Sequence, residues 1–303
     1  MSERPFTIVW QRRVLDKVLE TAFIRHVLLA RVNRPQRWLA IEDGDPFPLM
    51  DDMLFVTFDD PVDYFGAVKD HGSNNVGLFQ VGDEKGDSGC RAYAMADYVI
   101  RNYHFDHQLA NKPERVSWVP NGWASGVGPV RATDHLSFAE RSLPAFFSGF
   151  VGQDQEQIED RRKMLEIIKE NKVQALMATT PGFAQGLGRA AYAAHMGNSR
   201  FALVPHGRSP ETIRLYDALE LGAIPIAVDA PWMHASDGLG VFGKPPFVLL
   251  NSWDQLPGHL AGYQGSVPPE RLAAAEQLRQ SCVVWWQRIK DHYAARVAAL
   301  ING

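Results

Sequence analysis

Residues 199–228 read SRFALVPHGRSPETIRLYDALELGAIPIAV and gather the side chains that diphosphate chemistry requires. Arg208 and Arg214 supply permanent positive charge and forked N–H donors, which match phosphate oxygens. The run FALVP has strand character, His206-Gly207-Arg208 makes a turn, and a helical pattern follows. Ser209 suits an N-cap and Pro210 the first helical position. Glu211 and Thr212 then fill the first turn, where a carboxylate suits the helix dipole. A helix N-terminus behind a glycine-containing turn presents amide donors to an anion. Glu211, Arg214 and Asp217 follow at spacings of three and form one polar stripe. Asp217 on that stripe can accept hydrogen bonds from ribose hydroxyls. On spacing alone, the stripe is equally a solvated face on which Arg214 pairs with Glu211 or Asp217.

The elements around this segment alternate. Strand-length apolar runs occur at 6–10, 54–58, 76–81, 116–119, 173–178, 201–204, 224–228 and 247–250. Helical spacing occupies 12–29, 62–70, 91–103, 155–170, 186–196, 210–221 and 269–299. Such alternation predicts an α/β protein with largely parallel sheets. Segment 199–228 is then one βαβ unit, with its turn at the carboxyl end of a parallel strand, where open α/β sheets bind ligands. The chain of 303 residues is long enough for two domains. The Gly- and Pro-rich stretch 120–129 and a fresh strand start at 141–152 put the boundary near 140. The expected division is 1–140, 141–268 and a C-terminal helix over 269–303.

Composition excludes several classes. With 31 basic and 35 acidic residues the net charge is -4, without the basic excess of a nucleic-acid binder. The apolar stretch 22–32 is broken by Arg25, His26 and Arg31, so no transmembrane segment is expected, and the N-terminus does not resemble a signal peptide. Cytoplasmic location follows as the expectation, with peripheral membrane contact left open. Cys90 and Cys282 lie far apart and outside any zinc-binding spacing, so reduced thiols and no metal site are expected.

Three local patterns point elsewhere. The GDSG at 86–89 matches a serine-protease nucleophile loop, but Cys90 stands where Gly is expected and the alternation opposes that scaffold. GLGVFG at 238–243 has the glycine spacing of a dinucleotide site, but Lys244-Pro245-Pro246 cannot open a helix. GLGRAA at 186–191 opens a helical pattern too far from its strand.

Segment 199–228 resembles the signature of the exostosin-like glycosyltransferases, in particular the subgroup similar to ribitol-phosphate xylosyltransferase. The residues that carry the likeness are Ser199, Phe201, Leu203, Pro205, Gly207, Glu211, Thr212, Arg214, Leu215, Tyr216, Asp217, Ala218, Gly222, Ile224, Pro225 and Ile226. The upstream FAQGLGRAAYAAHMGNSRF also fits. VGLFQVGDEKG, YVIRNYHF and VSWVPNGW resemble the N-terminal half more loosely. His206 stands where Arg is frequent, and Asp217 where Glu is usual.

The resemblance implies a GT-B fold, with two Rossmann-like domains facing each other across a cleft. It implies sugar transfer from a nucleotide-diphosphate donor, UDP-linked, without a metal or other cofactor. The acceptor would be a glycan, a lipid-linked or a polyol-phosphate chain, as in polysaccharide biosynthesis. Arg208, Arg214 and the amides after His206 would hold the diphosphate, and Gly207, Ser209 and Thr212 would be among the substrate-binding residues. Asp217 and Glu211 would hold ribose or donor-sugar hydroxyls. An inverting transfer also needs a general base on the acceptor side. Asp83 and Glu84 end the strand VGLFQV and are the first candidates, with His104 and Asp106 second. Arg101 would contact donor phosphate or orient the acidic pair. Two other functions compete: a non-catalytic nucleotide- or glycan-binding protein, and a serine hydrolase using Ser88.

Overall fold

A computed structural model describes residues 4–302 except 43, 111–113, 153–154 and 183–184; of 155–158 it describes the backbone only. Phe183 and Ala184, part of the family resemblance, lie outside the described residues. Contacts divide the chain into two units, 1–121 with 290–303, and 122–289.

The first unit carries β1 (Phe6–Gln11), α1 (Arg12–Leu15), α2 (Thr21–Phe23), β2 (Gln36–Ile41), β3 (Met53–Thr57), α3 (Val62–His71), β4 (Val76–Gln80), β5 (Tyr98–Arg101), α4 (Asp106–Leu109) and β6 (Val116–Trp118). Its six strands are all parallel, in the order β2-β1-β3-β4-β5-β6. The inner strands MLFVT and VGLFQ are wholly buried, as apolar runs covered on both faces should be. Gly77 lies against the Tyr98 ring, and a Cβ there would enter it.

The second unit carries β7 (Leu143–Phe150), α5 (Gln155–Glu170), β8 (Leu176–Thr180), α6 (Arg189–Gly197), β9 (Ser199–Leu203), α7 (Ile213–Glu220), β10 (Ile224–Val228), β11 (Val248–Leu250) and α8 (Leu256–Ala261). The long α9 (Pro269–Asn302) starts here, and its residues from Lys290 onward belong to the first unit. The sheet is parallel throughout, in the order β11-β10-β9-β7-β8. Its core packs Phe147, Phe201, Leu203, Ile224 and Ile226 against Met164, Ile168, Trp253 and Leu256.

Both sheets are doubly wound, and in the second the order reverses between β7 and β9. Ligands of such sheets bind outside the carboxyl ends of the strands at that switch point. The β7–α5 and β9–α7 connections border it.

The structure departs from the sequence reading in several elements. Residues 91–103 form a short 3-10 turn (Arg91–Ala94) and then β5, not a helix. The Ala-rich start favours helix, but Val99 and Ile100 pair with Leu78 and Phe79, and that pairing wins. The helical pattern 12–29 breaks after Leu15 and resumes at Thr21. Glu20 is buried in the gap, where it accepts Asn102 Nδ2 at 3.2 Å. The helix expected over 210–221 begins at Ile213, with Thr212 as its N-cap. Ser209 Oγ instead accepts the Glu211 amide at 3.2 Å, and Ser209 O accepts the Gly207 amide at 3.0 Å, closing a tight turn before the helix. Residues 238–243 form successive turns with no helix after them, and a Cβ on Gly240 would meet the His234 backbone.

Candidate functional site

The turn between β9 and α7 is built from both sides. From α5, Asp160 Oδ2 accepts the His206 amide at 2.7 Å, and its Oδ1 accepts Trp253 Nε1 at 2.7 Å. Arg161 donates through Nε to His206 O at 2.9 Å and through Nη1 to Phe150 O at 2.6 Å. A Cβ on Gly207 would come within 2.9 Å of Arg161 Nη2, so a larger residue there would press on that guanidinium. Beside it lies a cavity of about 440 Å³ lined by Glu159, Asp160 and Lys163 of α5 and by residues 206–210. Lys163, which pairs with Asp254 Oδ2 at 3.4 Å, and the exposed Arg208 stand there beside the carboxylates of Glu159 and Asp160.

The start of α7 carries the unusual polar groups. Arg214 is buried, and its Nε and Nη2 both donate to Ser148 O, at 3.1 and 2.7 Å. Its guanidinium lies 4.6 Å from the Phe147 ring centroid. Gly149 leaves it room, since a Cβ there would collide with Nη2. Nη1 is buried with no hydrogen-bond partner, as are the Thr212 hydroxyl and His206 Nε2. Buried polar groups nearly always find partners, and an arginine stays charged even when burial lowers its pKa. The three unsatisfied groups fall within nine residues of one turn, and of them His206 lines the cavity.

The acids of the stripe face inward, so the solvated-face alternative does not hold. Glu211 is buried and its Oε1 accepts the Tyr216 hydroxyl at 2.7 Å. Asp217 is 2% exposed; its oxygens accept the Ala124 amide at 2.8 Å and the Tyr192 hydroxyl at 2.9 Å. Burial raises Asp217 to about 6, against the pull of those two donors and of the Arg214 charge. In this geometry Asp217 holds α6 and the 122–125 segment to α7. On the same sheet edge, after β10, Asp229 Oδ1 and His234 Nε2 pair at 2.6 Å and are half-exposed.

In the first unit, a buried network ends β4 and β5. Arg101 is 0% exposed and donates to Asp83 Oδ2 at 3.2 Å, the Tyr93 hydroxyl at 3.1 Å and Tyr103 O at 3.1 Å. Tyr93 in turn donates to Gln80 Oε1. Asp83 also accepts Gln108 Nε2 at 2.9 Å and the Ser88 amide at 3.3 Å. Burial alone would raise Asp83, but Gln108, the Arg101 charge and the Ser88 amide outweigh it and hold the carboxyl below the usual range. Glu84 beside it is half-exposed, with the Tyr103 hydroxyl 3.4 Å from Oε1. The structure therefore brings Asp83 and Arg101 together as an interior ion pair and leaves Glu84 at the surface. Ser88 sits in the loop that this pair organises. His104 is buried against Trp118, with a side-chain nitrogen 3.5 Å from the exposed Asp106.

Asp160, Arg161, Ser148 and Gly149 escaped the sequence reading. The signal for the last two was the small Ser-Gly step inside the otherwise bulky strand LPAFFSGF. Nothing in α5 marked its acid and arginine as turn supports. Among the described residues, no group of three or more His, Cys, Asp or Glu could hold a metal, and no helix is long and apolar enough to cross a membrane.

Residues 112–239 match the family model of the exostosin GT47 domain. The match contains the turn, α7 and β10, with every candidate residue of the second unit. No curated protein matches the chain. Among solved structures, the chain is similar to an alpha,alpha-trehalose-phosphate synthase (UDP-forming) from Burkholderia vietnamiensis. The two share 11% identity over 98% of this chain and 100% of that one, with a TM-score of 0.53. A second similar structure is the GtfA/B complex, at 9% identity over 84% of this chain and a TM-score of 0.48. This chain spans 58% of that one's length. With two parallel α/β sheets, the likeness shows a GT-B fold. The domain match likens residues 112–239 to the exostosin GT47 domain.

Proposed function

We propose that this protein transfers a sugar from a nucleotide-diphosphate donor, UDP-linked, to a hydroxyl of a glycan, lipid-linked or polyol-phosphate acceptor, with inversion and without a metal. The observation that carries this is the set of three unsatisfied groups on the β9–α7 turn: His206 Nε2, Thr212 Oγ1 and Arg214 Nη1. They stand at the carboxyl edge of a doubly wound sheet, beside a cavity carrying Lys163 and Arg208.

As the bond between the anomeric carbon and the diphosphate breaks, its electron pair goes to the leaving oxygen. The charge that develops there needs fixed donors, and Arg214, Arg208, the Thr212 hydroxyl and the first amides of α7 provide them without a cation. The Ser148 carbonyl holds the Arg214 guanidinium in place, so little reorganisation accompanies the step. Ser209 and Gly207 shape the turn, and Glu211 supports the helix start through Tyr216.

Glu84 is the general base of this reading. It takes the proton of the acceptor hydroxyl while that oxygen attacks the anomeric carbon. Asp83 suits the role poorly: its depressed pKa weakens it as a base, and both its oxygens are engaged. Arg101 orients Asp83 and, through Tyr103 O, the backbone of Glu84's own partner, Tyr103.

Thermal stabilisation by a panel of nucleoside diphosphates, with and without EDTA, tests the donor half, because ligand binding to the folded state raises the midpoint. A shift with one diphosphate, unchanged by EDTA and abolished in Arg214→Ala, is the expected result. An Arg214→Ala protein that keeps its donor affinity would remove the phosphate assignment.

A further inference from the structure

A second cavity, of about 480 Å³, shares no lining residue with the first. It lies along α9 within the second unit, between helix residues 277–288 and the segment Lys244–Pro246. Its volume is within the range of small-molecule sites.

The lining is specific in chemistry. Arg288 stacks on Phe242, its guanidinium carbon 4.2 Å from the ring centroid, and has no acidic partner among the described residues. Lys244 is exposed and likewise unpaired among them. Two cations without counter-ions face one groove, so its complement is an anion. Gln280 gives its amide N–H to Glu276, and the Ser281 hydroxyl donates to Gln277 O, which leaves the Gln280 carbonyl and the Ser281 oxygen as acceptors. Pro246 and Val284, the latter 62% exposed, supply apolar surface. Trp285 lines the groove, is 6% exposed, and its indole N–H has no acceptor.

We propose that this groove binds an acidic oligosaccharide, with uronate carboxylates on Arg288 and Lys244 and a ring face on Pro246 and Val284. Hydroxyl-rich rings match the acceptor groups of Gln280 and Ser281, and a planar carboxylate matches the stacked guanidinium. Phosphate is the poorer fit to the helix wall of the groove, which runs along the middle of α9, where backbone amides are engaged within the helix. The choice of a sugar chain rests on the glycosyltransferase reading; the choice of an anion does not.

Calorimetric titration of the whole protein with a hexauronate and with maltohexaose, at low salt, tests the site. Hexauronate should bind at least about tenfold more tightly than the neutral hexamer and weaken as salt is added, because carboxylate–cation contacts dominate. The double variant Lys244→Ser/Arg288→Ser should lose about tenfold or more of that affinity. Val284→Glu, at an exposed position that tolerates substitution, should lose as much by adding a like charge. Equal binding of the two hexamers, no hexauronate binding at millimolar concentration, or unchanged affinity in both variants would overturn the proposal. Nucleoside-diphosphate stabilisation, measured on the same variants, should not change. A wild-type protein that binds hexauronate in this groove but no diphosphate would remove the donor reading and leave this one standing.

Discussion

Thr212 separates what a residue does for folding from what it does for a ligand. Its hydroxyl is buried and unpartnered, so it costs the ligand-free protein stability. Thr212→Val keeps the shape and removes that cost. The expected result is an unfolding free energy equal to wild type or higher by about 1 kcal/mol, with nucleoside-diphosphate affinity down by about tenfold. Denaturant melts and titration of one preparation read both, and a loss of stability with unchanged affinity would show the hydroxyl to be structural. Asp83 and Glu84 make the opposite pair. Asp83→Asn weakens the interior partner of Arg101 and should cost about 3 kcal/mol of stability. Glu84→Gln should leave the melt unchanged and lower kcat by about a hundredfold. Residue types announced this acidic pair, but nothing in the sequence said which member turns inward. That depends on Gln108 and Ser88 arriving from other parts of the chain. The same holds for Glu211 and Asp217. Their spacing suited a ligand-facing stripe, yet Tyr216, Tyr192 and the Ala124 amide receive them in the interior.

At the scale of elements, the central βαβ unit was legible because its strands are short apolar runs and its helix carries a clear apolar face. The helix start was not, and the displacement from Pro210 to Ile213 has a local cause. Ser209 can cap a helix or close a turn with the same oxygen, and the turn prevails where Asp160 and Arg161 hold His206. Helix α5 was predicted over its full length at 155–170, but its part in the site was invisible, because the contact joins residues 46 apart. Asp160→Ala therefore tests an element, not a contact with ligand. It frees the His206 amide and Trp253 Nε1 together, so the melt should drop by about 2 kcal/mol. The turn should also loosen, raising KM for the donor with little change in kcat. Rescue by Asp160→Asn, whose oxygen still accepts the His206 amide, would confirm positioning. A fall in kcat at constant KM would instead place Asp160 on the reacting groups.

At the scale of the molecule, alternation of apolar runs and helical patterns sufficed for the α/β class, while the strand order needed the structure. Edge strand β2 shows why: QRWLAI is half-exposed and lacks a continuous apolar run. The whole fold also titrates, and two buried acids act in opposite directions. Asp83 is depressed, so its contribution is complete above the ordinary aspartate value and is lost only as pH falls through its lower folded one. Asp217 is raised from 3.8 to about 6, so folding favours its protonated form. Its contribution is present below pH 3.8 and is lost as pH rises to about 6. A shift of that size corresponds to roughly 3 kcal/mol at most, since each unit is about 1.4 kcal/mol. Asp217→Asn cannot ionise and should lose this dependence, while its carbonyl oxygen still accepts the Ala124 amide. Subtracting the variant's unfolding free energy from that of wild type cancels Asp83 and every other shared group. The difference should decline between pH 4 and pH 6 and lie flat on both sides. A flat difference throughout would mean that Asp217 has the same proton affinity folded and unfolded, the Tyr192 and Ala124 donors and the Arg214 charge offsetting burial in full.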